Sequence, residues 1–362
     1  MPTLADLPTP ALLLDLDRLD ANLSRMAERC AALGVALRPH LKTHKCVEVA
    51  ERQRRLGARG ATVSTLYEAQ VFANHGFDDI TWAFPFIPSR LDEARRLAER
   101  ITLRITVDAP ETVTLLEAAG FPFRVWLKID CGYHRAGLDP DAPATLRLAR
   151  RLAASPTLTF DGLLTHSGHA YHAGSRADLP VIAEQERDAV AQLRARLASE
   201  GIDVAASVGS TPAMSAVTSL AGVQEARPGN YAFYDGMQLG IGSCAATDCA
   251  VTVLATVVSS QPRAAHCVVD AGALALSKDT APQLAAAGFG TVFDDYTSGT
   301  LLPGARLTGL SQEHGTLIPR LPVGTRVRIL PNHSCLTVAC FDEYHVVRGD
   351  TVVDRWKIWR GR

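Results

Sequence analysis

A chain of 362 residues with a net charge of −1, from 37 basic and 38 acidic side chains spread along it, carries no electrostatic footprint for nucleic acid or an anionic membrane surface. Hydrophobic residues at 47% and charged residues at 21%, without a Gly/Ser or Pro-rich tract, exclude a disordered or fibrous chain and leave room for one large barrel with additions or for two domains. No apolar run approaches the ~18 residues that span a bilayer, and the segment Met1–Asp6 lacks the pattern of a secretory signal, so a cytoplasmic protein acting on a small molecule is expected. Eight scattered cysteines do not make the framework of a small secreted domain, and most read as small buried residues.

The extended run Ala11–Asp15 precedes a predicted helix from near Leu19 to Leu33, with Leu19, Leu23, Met26, Ala27, Cys30 and Leu33 on one face and a stop at Gly34. From about residue 36 to 234, short apolar or β-branched runs alternate with amphipathic stretches. The predicted strands are Ala36–Lys42, Ala61–Thr65, Ile80–Phe84, Thr102–Val107, Arg124–Asp130, Asp161–His166, Ala205–Gly209 and Glu225–Tyr231. Helices between them include one after Ser89, whose hydroxyl is the expected cap, one opening at Asp108-Ala109-Pro110-Glu111, and one over Leu179–Glu200. Eight strands with intervening helices predict a closed (β/α)8 barrel, with its chemistry at the C-terminal strand ends. After Met237 the texture changes to runs such as Ala250–Val258, Ala265–Val269, Arg326–Leu330, Tyr344–Val347 and Thr351–Val353, separated by Gly and Pro. A barrel over 11–240 and a mostly antiparallel β domain over 241–362 are therefore expected, with residues 1–15 pairing with the β domain.

Chemistry-bearing residues gather at the predicted strand ends. Lys42 closes the first strand, crowded by His40, His44 and Lys45. Neighbouring positive charge and burial both lower a lysine pKa, which suits an amine that attacks an aldehyde, although Lys-Thr-His-Lys alone also reads as a solvated basic turn. Gly209-Ser210-Thr211-Pro212 opens a helix after the seventh strand, with N–H groups and hydroxyls suited to a phosphate or simply to a capped helix. Arg227-Pro228-Gly229-Asn230-Tyr231 follows at the eighth, where barrels commonly hold phosphate. His166, His169, Tyr171 and His172 end the sixth strand, where a ring can stack on a planar cofactor or His166 and His169 can bind a metal. Arg135 after the fifth strand can bind an anion or a phenolate oxygen. In the last domain His333-Ser334-Cys335 puts an imidazole and a thiol two residues apart, on one face of an extended segment and able to supply two ligands to zinc. His314 in Ser-Gln-Glu-His-Gly is a further polar constellation.

Taken in order, RPHLKTHK at 38–45, HSGHAY at 166–171, GSTPA at 209–213, RPGNYAFYDGMQ at 227–238, SQEHG at 311–315 and PNHSC at 331–335 resemble the D-serine dehydratase and D-threonine aldolase family, of the fold-type III, alanine racemase-like architecture. The resemblance covers nearly the whole chain. It implies a barrel that binds pyridoxal 5'-phosphate (PLP), a C-terminal β domain, and a homodimer with sites near the subunit interface. It makes Lys42 the Schiff-base lysine and sets His166 against the pyridine ring, with Tyr171 or Arg227 facing the pyridine nitrogen. Arg135 is a further cofactor residue; Ser210, Thr211, Gly229 and Asn230 hold the phosphate, with Tyr231 in the same neighbourhood. His333 and Cys335 become the ligands of a divalent metal, which a thiolate tilts to zinc over manganese or magnesium. The implied activity is that of a lyase on D-3-hydroxy amino acids, either dehydration of D-serine or 3-hydroxy-D-aspartate to a 2-oxo acid and ammonia, or the aldolase cleavage to glycine and an aldehyde. The His-x-Cys pair favours the dehydratase. A non-catalytic PLP carrier and a metal-only barrel hydrolase are the competing readings; the long C-terminal region with His333 and Cys335 opposes the carrier.

Overall fold

The computed structural model describes residues 2–284 and 288–362. Its first strand, β1 (Ala11–Asp15), is buried along its whole length and ends at Asp15, whose carboxylate accepts the Arg18 N–H at 2.9 Å and so caps the helix Leu16–Ala32. Eight parallel strands follow: β2 (Ala36–Leu37), β3 (Ala61–Val63), β4 (Asp79–Pro85), β5 (Thr102–Val107), β6 (Arg124–Lys128), β7 (Thr159–Leu164), β8 (Ala205–Val208) and β9 (Glu225–Ala226). They are ordered β2-β9-β8-β7-β6-β5-β4-β3, and a parallel bridge between His40 and Thr62 joins the two edges and closes the barrel. All eight predicted strands are present because each is buried by the barrel on one face and by helices on the other, which selects for the β-branched and apolar runs read above.

The strand ends differ from the sequence reading. Pro39 has no N–H to give the ladder, so β2 stops at Leu37 and the chain makes a single 3-10 turn over Leu41–Thr43. Pro228 ends β9 in the same way. Ser89 is not the cap expected of it: it lies inside the turn Pro88–Arg90, and the helix Leu91–Ala98 starts from Arg90 without a side-chain cap.

The remaining strands are β10 (Val251–Ser259), β11 (Cys267–Val269), β12 (Gly290–Asp295), β13 (Thr300–Leu310), β14 (Gly315–Ile318), β15 (Arg326–Pro331), β16 (Glu343–Arg348) and β17 (Thr351–Lys357). Their sheet runs β11-β14-β13-β12-β15-β10-β1-β16-β17, and β11 also pairs with β10, so six strands close into a second, antiparallel barrel. The β1 strand lies between β10, antiparallel, and β16, parallel. Burying Leu12, Leu13 and Leu14 there contributes roughly 1.5–3 kcal/mol each. Arg18 and Arg328 clamp Tyr296, each guanidinium carbon within 3.5 Å of the ring centre, and so tie the first helix to the β domain.

Charged side chains fill the first barrel at its N-terminal end. Arg38 Nε donates to Glu225 Oε2 and its Nη1 to Asp79 Oδ1, both at 2.7 Å, while Arg104 and Arg124 share Asp161 at 2.7 and 2.6 Å and Arg104 also reaches Asp79. Removing one partner of a buried pair strands the other's charge. The change Arg38→Ala should therefore cost about 3–5 kcal/mol, read as a lowered urea midpoint at unchanged m-value; a midpoint within error of the parent would show that the pair contributes nothing.

Candidate active site

The turn that follows β2 places one amine at the C-terminal mouth of the barrel. His40 Nδ1 accepts the N–H of Lys42 at 3.4 Å, and Leu41 and Thr43 are buried on either side. Of the four basic residues in this turn, two are spent elsewhere. Lys45, at a left-handed φ of 48°, pairs with Glu68. His44 lies in the core, where burial lowers its imidazole to about 3, and its carbonyl accepts the Tyr344 hydroxyl at 2.7 Å. Lys42 Nζ has no protein hydrogen-bond or ion-pair partner among the described residues, and burial holds its pKa below the usual amine range, with the charges of Arg135 and Lys45 acting in the same direction. Burial, rather than the crowding of the basic turn, is thus what prepares this amine.

Around it stand residues from the later strand ends. His166, after β7, donates from Nδ1 to the Gly209 carbonyl at 3.0 Å; burial and then Lys42 push its pKa well below the usual value, so the ring is neutral with Nε2 free of a proton. Arg227, after β9, gives its two Nη groups to Ser207 Oγ and the Thr165 carbonyl, and Ser207 passes a 2.6 Å hydrogen bond on to Glu225. Burial lowers the guanidinium to about 10, against the opposing charge of Glu225. Ser210 caps the helix Thr211–Ala216 and its hydroxyl meets that of Ser167 at 3.0 Å. The rings of Tyr171 and His166 are 6.5 Å apart, and burial raises the Tyr171 phenol above its ordinary range. Arg135 is exposed on the loop after β6, its guanidinium 4.9 Å from the centre of the Tyr133 ring.

Gly229 lets two of these loops touch, since a Cβ there would stand 2.8 Å from the His40 carbonyl and 3.0 Å from Thr43 Oγ1. Asn230 Nδ2 donates to Asp235 at 2.7 Å and to Ser334 Oγ at 3.0 Å, while its Oδ1 is buried without a partner. The Tyr231 side chain is in the core, with the hydroxyl accepting from Gln53 at 2.9 Å, while its main-chain N–H, donated to Thr211 Oγ1 at 3.0 Å, lies beside the loop after β8.

The β domain brings its own pair to the same mouth. His333 is the N-cap of the short helix Ser334–Val338 and Cys335 lies in its first turn, so the two are not neighbours along one face of an extended strand as expected. The turn nevertheless brings them together. Although burial opposes it, the Cys335 thiolate and the Asp279 carboxylate raise His333 to about 11, and His333 with Lys42 holds the Cys335 thiol below its ordinary range against its burial. His333 Nδ1 donates to Asp279 Oδ2 at 2.6 Å, which leaves Nε2. Cys335 Sγ lies 3.3 Å from Thr43 Oγ1, one residue from Lys42. Asp235 docks this helix, accepting the Ser334 N–H at 2.9 Å and its hydroxyl at 3.2 Å. Among the described residues no third His, Cys, Asp or Glu joins the pair in a ready metal cluster. His314 is exposed in the β13–β14 hairpin, and His169 stands against Tyr133 with both ring nitrogens buried and unpartnered.

Four site residues escaped the sequence reading. Asp279 and Asp235 bind the His333 segment; Glu186, on the helix Leu179–Ser199, accepts the N–H groups of Ser167 and Gly209; Lys128 ends β6 at 5% exposure, where burial and Arg227 lower it to about 8. Two of them left a signal in the sequence: Lys128, an isolated charge at the end of an apolar strand, and Asp235, inside the motif at 227–238.

A closed barrel with this lysine turn and an appended antiparallel domain is the architecture of the alanine racemases. The family model "Alanine racemase, N-terminal domain" matches residues 14–235, and "Putative serine dehydratase domain" matches 250–347. The chain belongs to this fold-type III family of PLP-dependent enzymes, in the branch that holds the D-serine dehydratases and D-threonine aldolases. It is 41% identical to D-threo-3-hydroxyaspartate dehydratase of Delftia sp. (strain HT23), covering 99% of both chains. It is 35% identical to D-serine dehydratase of Dictyostelium discoideum, over 96% of this chain and 95% of that one, and 30% identical to D-threonine aldolase of Arthrobacter sp, over 98% and 93%. The solved structure of the Delftia enzyme superposes with a TM-score of 0.94 at 40% identity, covering all of both chains. Solved forms of it include a histidine-to-alanine variant and, two positions further along, a cysteine-to-alanine variant in a metal-free form.

The contact at Gly229 yields a test. In Gly229→Ala the new methyl must displace the His40 carbonyl or Thr43, at about 1–3 kcal/mol of overpacking strain. A lowered melting temperature together with weakened PLP binding is expected; unchanged values for both would show that the loops separate freely.

Proposed function

We propose that the chain is a PLP- and divalent-metal-dependent lyase that dehydrates a D-3-hydroxy amino acid to a 2-oxo acid and ammonia. The observation that carries this reading is the meeting of Cys335, from the β domain, with Thr43 of the Lys42 turn, which supports an anchoring amine and a metal-ligand pair acting at one barrel mouth.

The residues fit PLP. Lys42 offers a buried amine without a partner, Asn230 Oδ1 is a buried acceptor without one, and Gly229 leaves a cradle that a Cβ would fill. Lys42 would carry the cofactor, His166 would lie against its ring, and Arg227, Tyr171 and Arg135 would serve its ring nitrogen and phenolate oxygen. Ser210, Thr211, Gly229 and Asn230, with the Tyr231 main chain, would hold the phosphate. When bound, PLP supplies an electron sink for negative charge at the substrate Cα. The His333 and Cys335 donors fit a metal with two protein ligands and open positions, and a thiolate beside an imidazole suits zinc better than manganese or magnesium. Asp279, on the outer nitrogen of His333, would hold the proton on Nδ1 and present Nε2 to a metal that displaces its proton. A metal held there would bind the substrate's β-hydroxyl and make it a better leaving group.

The protein's own part is proton transfer and orientation. Lys42 Nζ, kept below the usual amine pKa by burial, takes the α-proton. Neutral His166, pinned on the Gly209 carbonyl, adds no competing acid there. Loss of the α-proton and the β-hydroxyl releases an enamine and water, and the enamine hydrolyses to a 2-oxo acid and ammonia. The mouth gathers Lys42, Lys128, Arg135 and Arg227, which supports a substrate with a second carboxylate such as 3-hydroxy-D-aspartate. Aldol cleavage to glycine and an aldehyde is the second reading, favoured by the likeness to the Arthrobacter aldolase. We also infer a cytoplasmic homodimer, with the barrel domain over 11–240, its leading strand β1 lent to the other sheet, and the β domain over 241–362. Eight free cysteines support a reducing compartment, and the exposed Phe84, Ile87 and Leu336 around the mouth support a partner subunit there.

Metal-reconstituted holoenzyme should convert D-threo-3-hydroxyaspartate or D-serine to equimolar 2-oxo acid and ammonia; glycine and aldehyde without ammonia would overturn the dehydratase in favour of the aldolase. His333→Ala and Cys335→Ala should each lower turnover at least a hundredfold while keeping the visible absorbance of bound PLP, whereas full activity after exhaustive chelation would remove the metal from the reaction. Borohydride reduction should label the unsubstituted chain at Lys42 and leave Lys42→Ala unlabelled, as mass spectrometry of the digest can read directly; colourless, unlabelled protein would sink the PLP assignment.

A further inference from the structure

Glu186 is a carboxylate with no evident reason to be where it is. It sits on the helix Leu179–Ser199 outside the barrel, is 2% exposed, and forms no ion pair among the described residues. Burying an unpaired carboxylate is costly unless hydrogen bonds satisfy it, and here they come from the main chain of two different loops. Oε1 accepts the Ser167 N–H at 2.8 Å and the Gly209 N–H at 3.0 Å. Neither N–H belongs to a strand or helix ladder, so Glu186 supplies what secondary structure does not.

Both ends of this clamp are adjacent to groups of the site. Ser167 follows His166, and its hydroxyl meets that of Ser210 at 3.0 Å. Gly209 gives its N–H to Glu186 and accepts from His166 Nδ1 with its carbonyl, at a φ of +131° that other residues rarely adopt, and a Cβ there would stand 2.6 Å from the Arg227 main-chain nitrogen. One carboxylate therefore sets the spacing of the loops after β7 and β8 and aims the carbonyl that orients the His166 ring. Its charge also favours the protonated form of Arg227.

We propose that Glu186 is a positioning residue of the active site: by clamping the Ser167 and Gly209 N–H groups it holds His166 in one tautomer and orientation and sets Ser210 beside it. This rests on the PLP reading for its consequence, but the clamp itself can be measured on cofactor-free protein.

The test compares full-length Glu186→Ala and Glu186→Gln with the parent, first by proton and nitrogen NMR of the His166 Nδ1–H, assigned by its loss in His166→Asn, and then by titration with PLP followed by visible absorbance. Expected are a slowly exchanging His166 signal in the parent, its loss in Glu186→Ala with at least tenfold weaker PLP binding, and recovery of most of both in Glu186→Gln, whose carbonyl oxygen can still accept two N–H groups. A folded Glu186→Ala that keeps the His166 signal and binds PLP within twofold of the parent overturns the proposal, as does a lowered melting temperature with neither readout moved. Should Glu186→Ala not fold, hydrogen exchange in the parent decides: the Ser167 and Gly209 amides should exchange as slowly as the β7 and β8 ladder, and exchange at loop rates refutes the clamp. Failure of the parent to bind PLP at all would strike the cofactor reading while leaving the NMR and exchange results to judge Glu186.

Discussion

The buried carboxylate of Asp235 decides where the two barrels meet. It accepts the Asn230 amide, the Ser334 N–H and hydroxyl, and the Gln238 N–H. A carboxylate taken out of water is expensive, and that cost is recovered only while all of these donors stay in place. The helix that carries Cys335 is thereby docked onto the chain leaving β9, and the thiol comes to rest on Thr43. That docking joins the Tyr344 hydroxyl on the His44 carbonyl in holding the Lys42 turn to the β domain, so Lys42 and His333 share one hydrogen-bonded frame.

The same economy governs the other carboxylates. Glu225 is occupied by Arg38 and Ser207, Glu186 by two main-chain N–H groups, and Asp279 by His333. The cations are not matched in this way. Lys42 and Lys128 are left without protein partners among the described residues, and Arg227 is bonded to neutral acceptors. A cup whose acids are spent and whose bases are free attracts anions, which is the electrostatic requirement for a phosphorylated cofactor and an amino acid carboxylate.

Much of this is legible in the chain before folding. Parallel strands buried on both faces write themselves as short β-branched runs, so all eight can be read, and Lys42, His166, Ser210 and Arg227 become candidates because barrel chemistry sits just past such runs. Legibility fails where tertiary contacts choose between equals. Tyr231 stands in a cofactor motif yet turns into the core toward Gln53, and nothing local distinguishes that from facing the phosphate. His333 and Cys335 meet through a helical first turn and not along the extended strand that their spacing predicts. The strands β12, β13 and β14 are not legible because their registers slip at Thr291/Phe293 and Leu307/Gly309, and Pro303-Gly304 interrupts β13, which erases the alternation a strand would show. Glu186 looks like any glutamate on a long surface helix, and only its two distant N–H partners reveal it.

The placement of β1 has a bearing on how this architecture can be divided. The strand precedes the whole first barrel in the chain but is hydrogen-bonded on both edges within the sheet of the β domain, between β10 and β16. A cut made between the barrels would leave Leu12, Leu13 and Leu14 as an unpaired apolar ribbon on one fragment and open a slot through the sheet of the other. The two barrels are interleaved like the halves of a clasp, so recombination among relatives can exchange loops at the mouth far more readily than it can exchange one barrel for another.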